Sequence, residues 1–266
     1  MAKRLSRAEA ARREFMRSVA LIGGVSTLGL AALIPTVTQG NTRLRPPGAL
    51  DEKDYLAACI KCGQCVQVCP VYAIELGDIL EGQGSGAAFI DARKQACDFS
   101  CDGLQCVLAC PTGALTHDIN YSHETRMGIA KLTKPQNCLA MQGKGFKGYV
   151  RSEENYEGLL RFDDIDRWNP IPLSQHEFEL EICDLCVRLC PIEIRKHQCD
   201  SGSPPSGDIN QCPPSGAIII EKIAENTYQP KIFEGCVGCG VCEMVCPVSD
   251  PAIVIEKRAS YQEVYP

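Results

Sequence analysis

Residues 59–70 constrain this chain more than any other stretch, because four of the twelve positions are cysteine and the last is proline. The cysteines follow the spacing C-x2-C-x2-C-x3-C-P, which is the run that binds bacterial [4Fe–4S] clusters. Three thiolates at three-residue intervals let the backbone curl around one cluster, and Gly63 keeps the turn free of Cβ crowding. The fourth cysteine, next to Pro70, ligates the neighbouring cluster in two-cluster ferredoxins. A zinc site is the plainer alternative, but zinc sites usually present two separated ligand pairs.

The same spacing recurs along the chain, which strengthens the iron–sulfur interpretation. If the run at 59–70 is motif 1, three further cysteine runs follow it: motif 2 is a stretched version, motif 3 lacks its first cysteine nearby, and motif 4 repeats the spacing strictly. Cys138 is the expected first ligand of motif 3. Sixteen of the eighteen cysteines are predicted ligands of four [4Fe–4S] clusters. They are Cys59, Cys62, Cys65 and Cys69 in motif 1; Cys97, Cys101, Cys106 and Cys110 in motif 2; Cys138, Cys183, Cys186 and Cys190 in motif 3; and Cys236, Cys239, Cys242 and Cys246 in motif 4.

Two questions about the cysteines stay open at this level. Sequential pairing of the motifs (1 with 2, 3 with 4) and nested pairing (1 with 4, 2 with 3) both fit. Cys199 and Cys212 are left over, and they bracket a Ser-, Gly- and Pro-rich loop that a disulfide could close. The competing hypothesis makes Cys212 a cluster ligand and Cys190 the spare, because Cys212 is also followed by proline. The disulfide is favoured, since Cys190 keeps the x3 spacing from Cys186.

The predicted fold class is α+β, with repeated bacterial-ferredoxin-like, two-cluster units of short strands and helices. Aromatic residues make up only 6 % of the chain, so metal binding should supply much of the folding free energy. A short helix is expected over Asp51–Ala58, and strands at Val71–Leu76 and Ala87–Asp91. We expect motifs 1 and 2 in residues 41–137 and motifs 3 and 4 in 138–266. An insertion at 140–182 is expected to be an ordered excursion, and residues 41–48 an extended linker.

Residues 1–40 have the pattern of a targeting segment. Arg12 and Arg13 are followed by Phe15, Met16 and Arg17, which fits a twin-arginine signal. Ser18–Ile34 is an uncharged apolar stretch without an Ala-x-Ala cleavage signal after it, which slightly favours an uncleaved anchor. A twin-arginine route carries folded proteins, which suits clusters inserted in the cytoplasm. The expected location is therefore the periplasm, at the cytoplasmic membrane.

Charge and motif content exclude several classes of function. Residues 1–45 carry eight Lys/Arg and two Glu, which leaves a net charge of −12 on the rest of the chain. That acidic body argues against nucleic-acid binding and suggests docking to redox partners steered by charge. The sequence has no phosphate-binding glycine fingerprint and no catalytic constellation, so no catalytic residue is assigned and we expect no enzyme activity from the chain alone. The four histidines lie outside the cysteine runs, and none is assigned to metal.

These motifs resemble those of ferredoxin-type proteins of the NapG/MauM family, which are exported four-cluster proteins associated with periplasmic nitrate reductase and methylamine utilisation systems. The resemblance covers most of the chain and is closest at Leu44–Ala49, Cys110–Leu115, Arg126–Ala130 and Asn137–Leu139. It implies relay of quinol-derived electrons, with a membrane quinol-oxidising protein as donor and a periplasmic cytochrome or reductase as acceptor. Compared with the family pattern, this chain separates Cys138 from its next ligand by more than forty residues and inserts Arg195–Gln211 after motif 3.

Two other classes of function are kept as alternatives. The chain could be the iron–sulfur subunit of an exported molybdenum oxidoreductase, although such subunits often lack a twin-arginine signal of their own. It could also be a disulfide-stapled binding protein, since exported cysteine-rich chains commonly are. The Cys-Pro-terminated spacing argues against the second alternative.

Overall fold

The structure is a computed structural model that describes residues 12–23, 43–78, 84–101, 103–150 and 177–257. The chain divides into two units, one of residues 1–41 and 78–85 and one of residues 42–77 and 86–266. In the first unit, residues 12–23 form an exposed helix, α1. The predicted apolar stretch Ser18–Ile34 lies mostly outside the described residues. Among the described helices, none is long and apolar enough to cross a membrane. The expected boundaries at residues 40 and 137 stay predictions.

The helices of the second unit are short, and most of them belong to the cysteine motifs. Helix α2 spans Glu52–Ala58, as predicted, and α6 spans Pro191–Asp200. Four one-turn helices each carry the third cysteine of one motif: α3 (Gln64–Gln67), α4 (Gln105–Leu108), α5 (Leu185–Arg188) and α7 (Val241–Met244). Left-handed residues precede three of them, and glycine occupies two of these positions, Gly63 with φ +73° and Gly240 with φ +94°. Glycine suits this conformation because it has no Cβ to clash.

The strands form four separate antiparallel pairs within the described residues. β1 (Glu75–Leu76) pairs with β2 (Ala88–Phe89), and both strands are shorter than predicted. β3 (Gly128–Leu132) pairs with β8 (Ile253–Lys257), and β6 (Ile218–Ala224) pairs with β7 (Thr227–Ile232). The β3–β8 pair thus joins the strand before motif 3 to the strand after motif 4. Around motifs 1 and 2, an isolated bridge between Ala49 and Leu115 makes the equivalent connection.

The insertion at 140–182 begins and ends as a two-stranded ribbon. β4 (Phe146–Tyr149) pairs with β5 (Glu177–Leu180), and Phe178 packs into the core. The segment around Trp168 lies outside the described residues. The ribbon returns the chain to within hydrogen-bond reach of its starting point, since the Cys183 N–H donates to the Lys144 carbonyl at 3.1 Å. This return explains how Cys138 and Cys183 can serve one site although more than forty residues separate them.

The segment before motif 1 differs from the expected linker. Leu44 is 2 % exposed, Arg45 is 6 % exposed, and Pro46 and Pro47 are fully buried. Leu44 pairs with Ile90 in an isolated bridge, so this segment packs as part of the core. The linker prediction was wrong because proline and arginine suggest an exposed chain, whereas here the arginine has a buried partner. Arg45 donates two hydrogen bonds to the Glu52 carboxylate, at 2.9 and 2.5 Å, and a third to the Ala88 carbonyl at 2.9 Å.

Candidate iron–sulfur sites

Site I combines three cysteines of motif 1 with the last cysteine of motif 2. Cys59, Cys62, Cys65 and Cys110 line one cavity that is partly open to solvent. Cys62 is exposed, whereas Cys59, Cys65 and Cys110 are partly buried. The cavity wall also includes Tyr55, whose ring is buried and whose hydroxyl donates to the Ala88 carbonyl at 2.9 Å. Four cysteines that converge on one cavity match the ligand set of a [4Fe–4S] cluster.

Site II combines three cysteines of motif 2 with the last cysteine of motif 1. Cys97, Cys101 and Cys106 of motif 2 interact electrostatically with one another and with Cys69, the last cysteine of motif 1. Cys69, Cys97 and Cys106 are buried, and Cys101 is partly buried. The exchange of last cysteines between motifs 1 and 2 is the arrangement known from two-cluster ferredoxins.

Sites III and IV repeat this exchange with motifs 3 and 4. In site III, Cys138, Cys183 and Cys186 interact with Cys246, the last cysteine of motif 4. In site IV, Cys236, Cys239 and Cys242 line one cavity together with Cys190, the last cysteine of motif 3. The four cysteines of site III are all partly buried, whereas three of those in site IV are buried. The structure therefore brings the cysteines together by sequential pairing of motifs, and nested pairing does not occur.

Peptide N–H groups surround the sulfur that ends each of motifs 1 and 2. Val71, Ala73 and Ile74 direct their N–H groups at Cys69, and the Ala73 nitrogen lies 3.3 Å from the sulfur. Residues at the same offsets, Thr112, Ala114 and Leu115, do so at Cys110. Proline after the cysteine fixes the start of this loop, so the two sulfurs receive matching donors. Hydrogen bonds to cluster sulfurs are one of the means by which a protein sets a cluster potential.

The surroundings of the thiols disfavour free thiolates and favour thiolates that are bound to a metal ion. Burial raises the pKa of Cys65 and of Cys183 to about 11, and that of Cys190 to about 12. Cys110 is an exception: burial raises its pKa, but the peptide donors and the Thr112 hydroxyl outweigh burial and leave it lowered. A metal ion offsets the cost of a buried thiolate and deprotonates a coordinating thiol outright. The cysteines, the cavities and the peptide donors thus fit [4Fe–4S] clusters.

Single-ion geometry is not seen in the part of the chain that the structure describes. There, no group of three or more Cys, His, Asp or Glu side chains lies close enough to hold one metal ion.

The two remaining cysteines form the favoured disulfide. Cys199 at the end of α6 is bonded to Cys212, with their Cα atoms 5.8 Å apart. Cys212 is therefore not the fourth cysteine of site IV, and Cys190 takes that place. In motif 1, the chain passes directly from Cys69-Pro70 through a loop into strand β1. In motif 3, helix α6 and the disulfide loop are inserted at the equivalent position. Glu193 joins the two ends of this excursion, because its carboxylate accepts the N–H groups of Ala217 and Ile218.

Several residues that support the sites escaped sequence reasoning. Tyr55, Arg45 and Glu193 carry no local motif, and each acts on a partner distant in sequence, such as Ala88 or Ile218. Asp98 is another, since its charge acts on the thiols of both site II and site IV. An aromatic or charged residue next to a cysteine run is a weak signal by itself, because most such residues are solvent-exposed.

Comparisons with known proteins agree with the iron–sulfur assignment. The family model described as a 4Fe-4S dicluster domain matches residues 58–114, which contain motifs 1 and 2. The chain is 30 % identical to "Ferredoxin-type protein NapG" of Escherichia coli (strain K12) over 255 residues, which covers 92 % of this chain and 84 % of that protein. It is 32 % identical to "Methylamine utilization ferredoxin-type protein MauM" of Paracoccus denitrificans (strain Pd 1222) over 264 residues, covering 97 % and 92 %. No solved structure matches significantly. The chain therefore belongs to the NapG/MauM family of ferredoxin-type iron–sulfur electron-transfer proteins.

Proposed function

We propose that this protein relays quinol-derived electrons through four [4Fe–4S] clusters to a periplasmic reductase, while it is attached to the cytoplasmic membrane. The observation that carries the proposal is the exchange of last cysteines, which yields four separate sites of four cysteines. The proposed donor is a membrane quinol-oxidising protein, and the proposed acceptor is a periplasmic cytochrome or reductase. When bound, each cluster supplies a one-electron carrier.

The residues of this chain hold and tune those carriers. The sixteen cysteines of sites I to IV are the proposed iron ligands. The peptide donors after Cys69 and Cys110 neutralise part of the negative charge on sulfur, which favours the reduced form. Burial of site II and site IV keeps water away, whereas Cys62 leaves site I accessible to a partner.

Iron analysis tests the number and the placement of the clusters. Anaerobically purified protein should contain about sixteen iron and sixteen acid-labile sulfide per chain, four of each for every site. Cys110→Ser should remove iron from site I, and Cys212→Ser serves as a matched control because Cys212 is followed by proline but belongs to the disulfide. Full iron in the Cys110 variant, or zinc without sulfide in the native protein, contradicts the proposal.

Export by the twin-arginine route is the second part of the proposal. It is supported by Arg12 and Arg13 in a basic segment, and by the need to insert clusters before export. Changing both arginines to lysine keeps the charge, so we expect a folded, cluster-loaded protein that stays in the cytoplasm. Cell fractionation measures this outcome. Unchanged export of the lysine variant removes the basis for the location and for the membrane partner.

A role in methylamine utilisation is a second candidate, because the MauM relative is as similar to this chain as the NapG relative. The sites would act in the same manner, and only the acceptor would differ. Purification of the protein from membranes with its bound partners distinguishes the two roles. A nitrate-reducing partner favours the first role, and an amine-oxidising partner favours the second.

A further inference from the structure

One peptide hydrogen bond directly joins the two pairs of sites. The N–H of Cys97, which belongs to site II, donates to the carbonyl of Cys239 in site IV at 3.3 Å. The neighbouring Ala96 N–H lies 3.2 Å from the Met244 sulfur. Gly240 packs so closely here that an added Cβ would lie 2.6 Å from the Cβ of Ala92. Cysteines of two different sites are therefore neighbours across the contact between motif 2 and motif 4.

Burial separates the four sites into an inner pair and an outer pair. Cys97 is 8 % exposed and Cys239 is 7 % exposed, and most cysteines of sites II and IV are buried like them. In site I, Cys62 is exposed, and in site III all four cysteines are partly exposed. The hydrogen bond between Cys97 and Cys239 thus joins the two inner sites, and each inner site exchanges its last cysteine with one of the accessible sites.

A single carboxylate lies at the contact between the two inner sites. Asp98 follows Cys97 directly, and its side chain accepts the N–H of Ser100 at 3.0 Å, which fixes its orientation. Because the N–H of Cys97 bonds to the Cys239 carbonyl, the residue next to Cys97 brings its negative charge close to a ligand of site II and a ligand of site IV. The shared position follows from the peptide hydrogen bond, which places Cys239 beside the Asp98 backbone.

We propose that Asp98 and the Cys97–Cys239 hydrogen bond form the junction between the two inner sites, so that electrons follow the order I, II, IV, III or its reverse. This inference rests on the proposed placement of the four clusters. One electron that crosses the junction oxidises the carrier at one inner site and reduces the carrier at the other, with no further reactant. The Asp98 charge disfavours an added electron at either inner site, and so it lowers the reduction potentials of both together.

The test is a potentiometric titration monitored by electron paramagnetic resonance on the full-length, cluster-loaded protein. Asp98→Asn removes the charge and keeps the size of the side chain. We expect two of the four one-electron steps to move to higher potential, by about a tenfold change in the reduced-to-oxidised ratio, or about 59 mV. The other two steps should stay in place. Asp98→Glu should restore the native potentials, and Glu225→Gln should move none, because Glu225 is exposed in the turn between β6 and β7.

The outcomes separate this inference from the proposed function. If native protein has fewer than four clusters by iron and sulfide, the proposed function fails first. If all four clusters load and Asp98→Asn moves one step, none, or all four, the junction is refuted. Asp98→Ser is a second neutral variant whose hydroxyl can still accept the Ser100 N–H. If both neutral variants and Asp98→Glu lose iron, Asp98 is a structural residue and the inference is also refuted.

Discussion

Arg93 ties the segment before motif 2 to the end of motif 4, and its removal should weaken the protein. One guanidinium nitrogen donates to the carbonyls of Glu243 and Cys246, at 2.9 and 2.8 Å, and the other donates to the Val248 carbonyl at 2.7 Å. These carbonyls follow α7 or lie near its end, where a helix leaves its last carbonyl groups without intrahelical partners. Arg93→Ala leaves at least three carbonyl groups without this donor.

The expected loss can be worked from these contacts. A hydrogen bond to a charged donor contributes roughly 1.5–3 kcal/mol net in a buried setting. Because Arg93 is half-buried, water replaces part of each lost bond. We therefore expect a loss of about 2–4 kcal/mol in total, below the sum for three fully buried bonds. Cys246 belongs to site III, so iron at that site should be released first.

The assay follows visible cluster absorption and iron release during anaerobic urea unfolding. Arg93→Lys keeps the charge but has one donor group instead of a planar fork, so its loss should be intermediate. Lys147→Ala is the control, because its ion pair with Glu179, at 2.8 Å, joins side chains that are 67 % and 78 % exposed. Such a pair contributes about 0–1 kcal/mol. The reasoning is refuted if Arg93→Ala is no less stable than Lys147→Ala.

Two further stability predictions follow from the described contacts. The double variant Cys199→Ser/Cys212→Ser should lose about 3 kcal/mol of stability, because the unfolded chain is no longer restricted by a closed loop of this size. It should keep all its iron, and iron loss contradicts the assignment of the disulfide. Gly240→Ala should be clearly less stable in urea than Gly103→Ala. Both positions have positive φ, but only at Gly240 does the added Cβ meet a neighbour. Equal losses show that backbone strain, and not the close contact with Ala92, accounts for the effect.

The sequence by itself determined the local parts of the protein. The three-residue cysteine spacing predicts which thiols meet around one turn, and the structure gathers Cys59, Cys62 and Cys65 in one cavity. The sequence predicts helix α2 to within one residue, and it favours the Cys199–Cys212 disulfide because Cys190 keeps both the motif spacing and its own following proline. These features depend on residues that are close in the chain, where spacing and turn chemistry restrict the available conformations.

Only the tertiary structure decided which motifs share their cysteines. Cys69 and Cys110 each belong to the site of the other motif. This exchange depends on how the chain folds back through β1 and β2, which the cysteine spacing does not encode. The same holds for the burial of Leu44 and for the hydrogen bond between Cys97 and Cys239, residues that are more than a hundred positions apart. Contacts of this kind form where separate segments pack together, and their free energy depends on the burial of both partners.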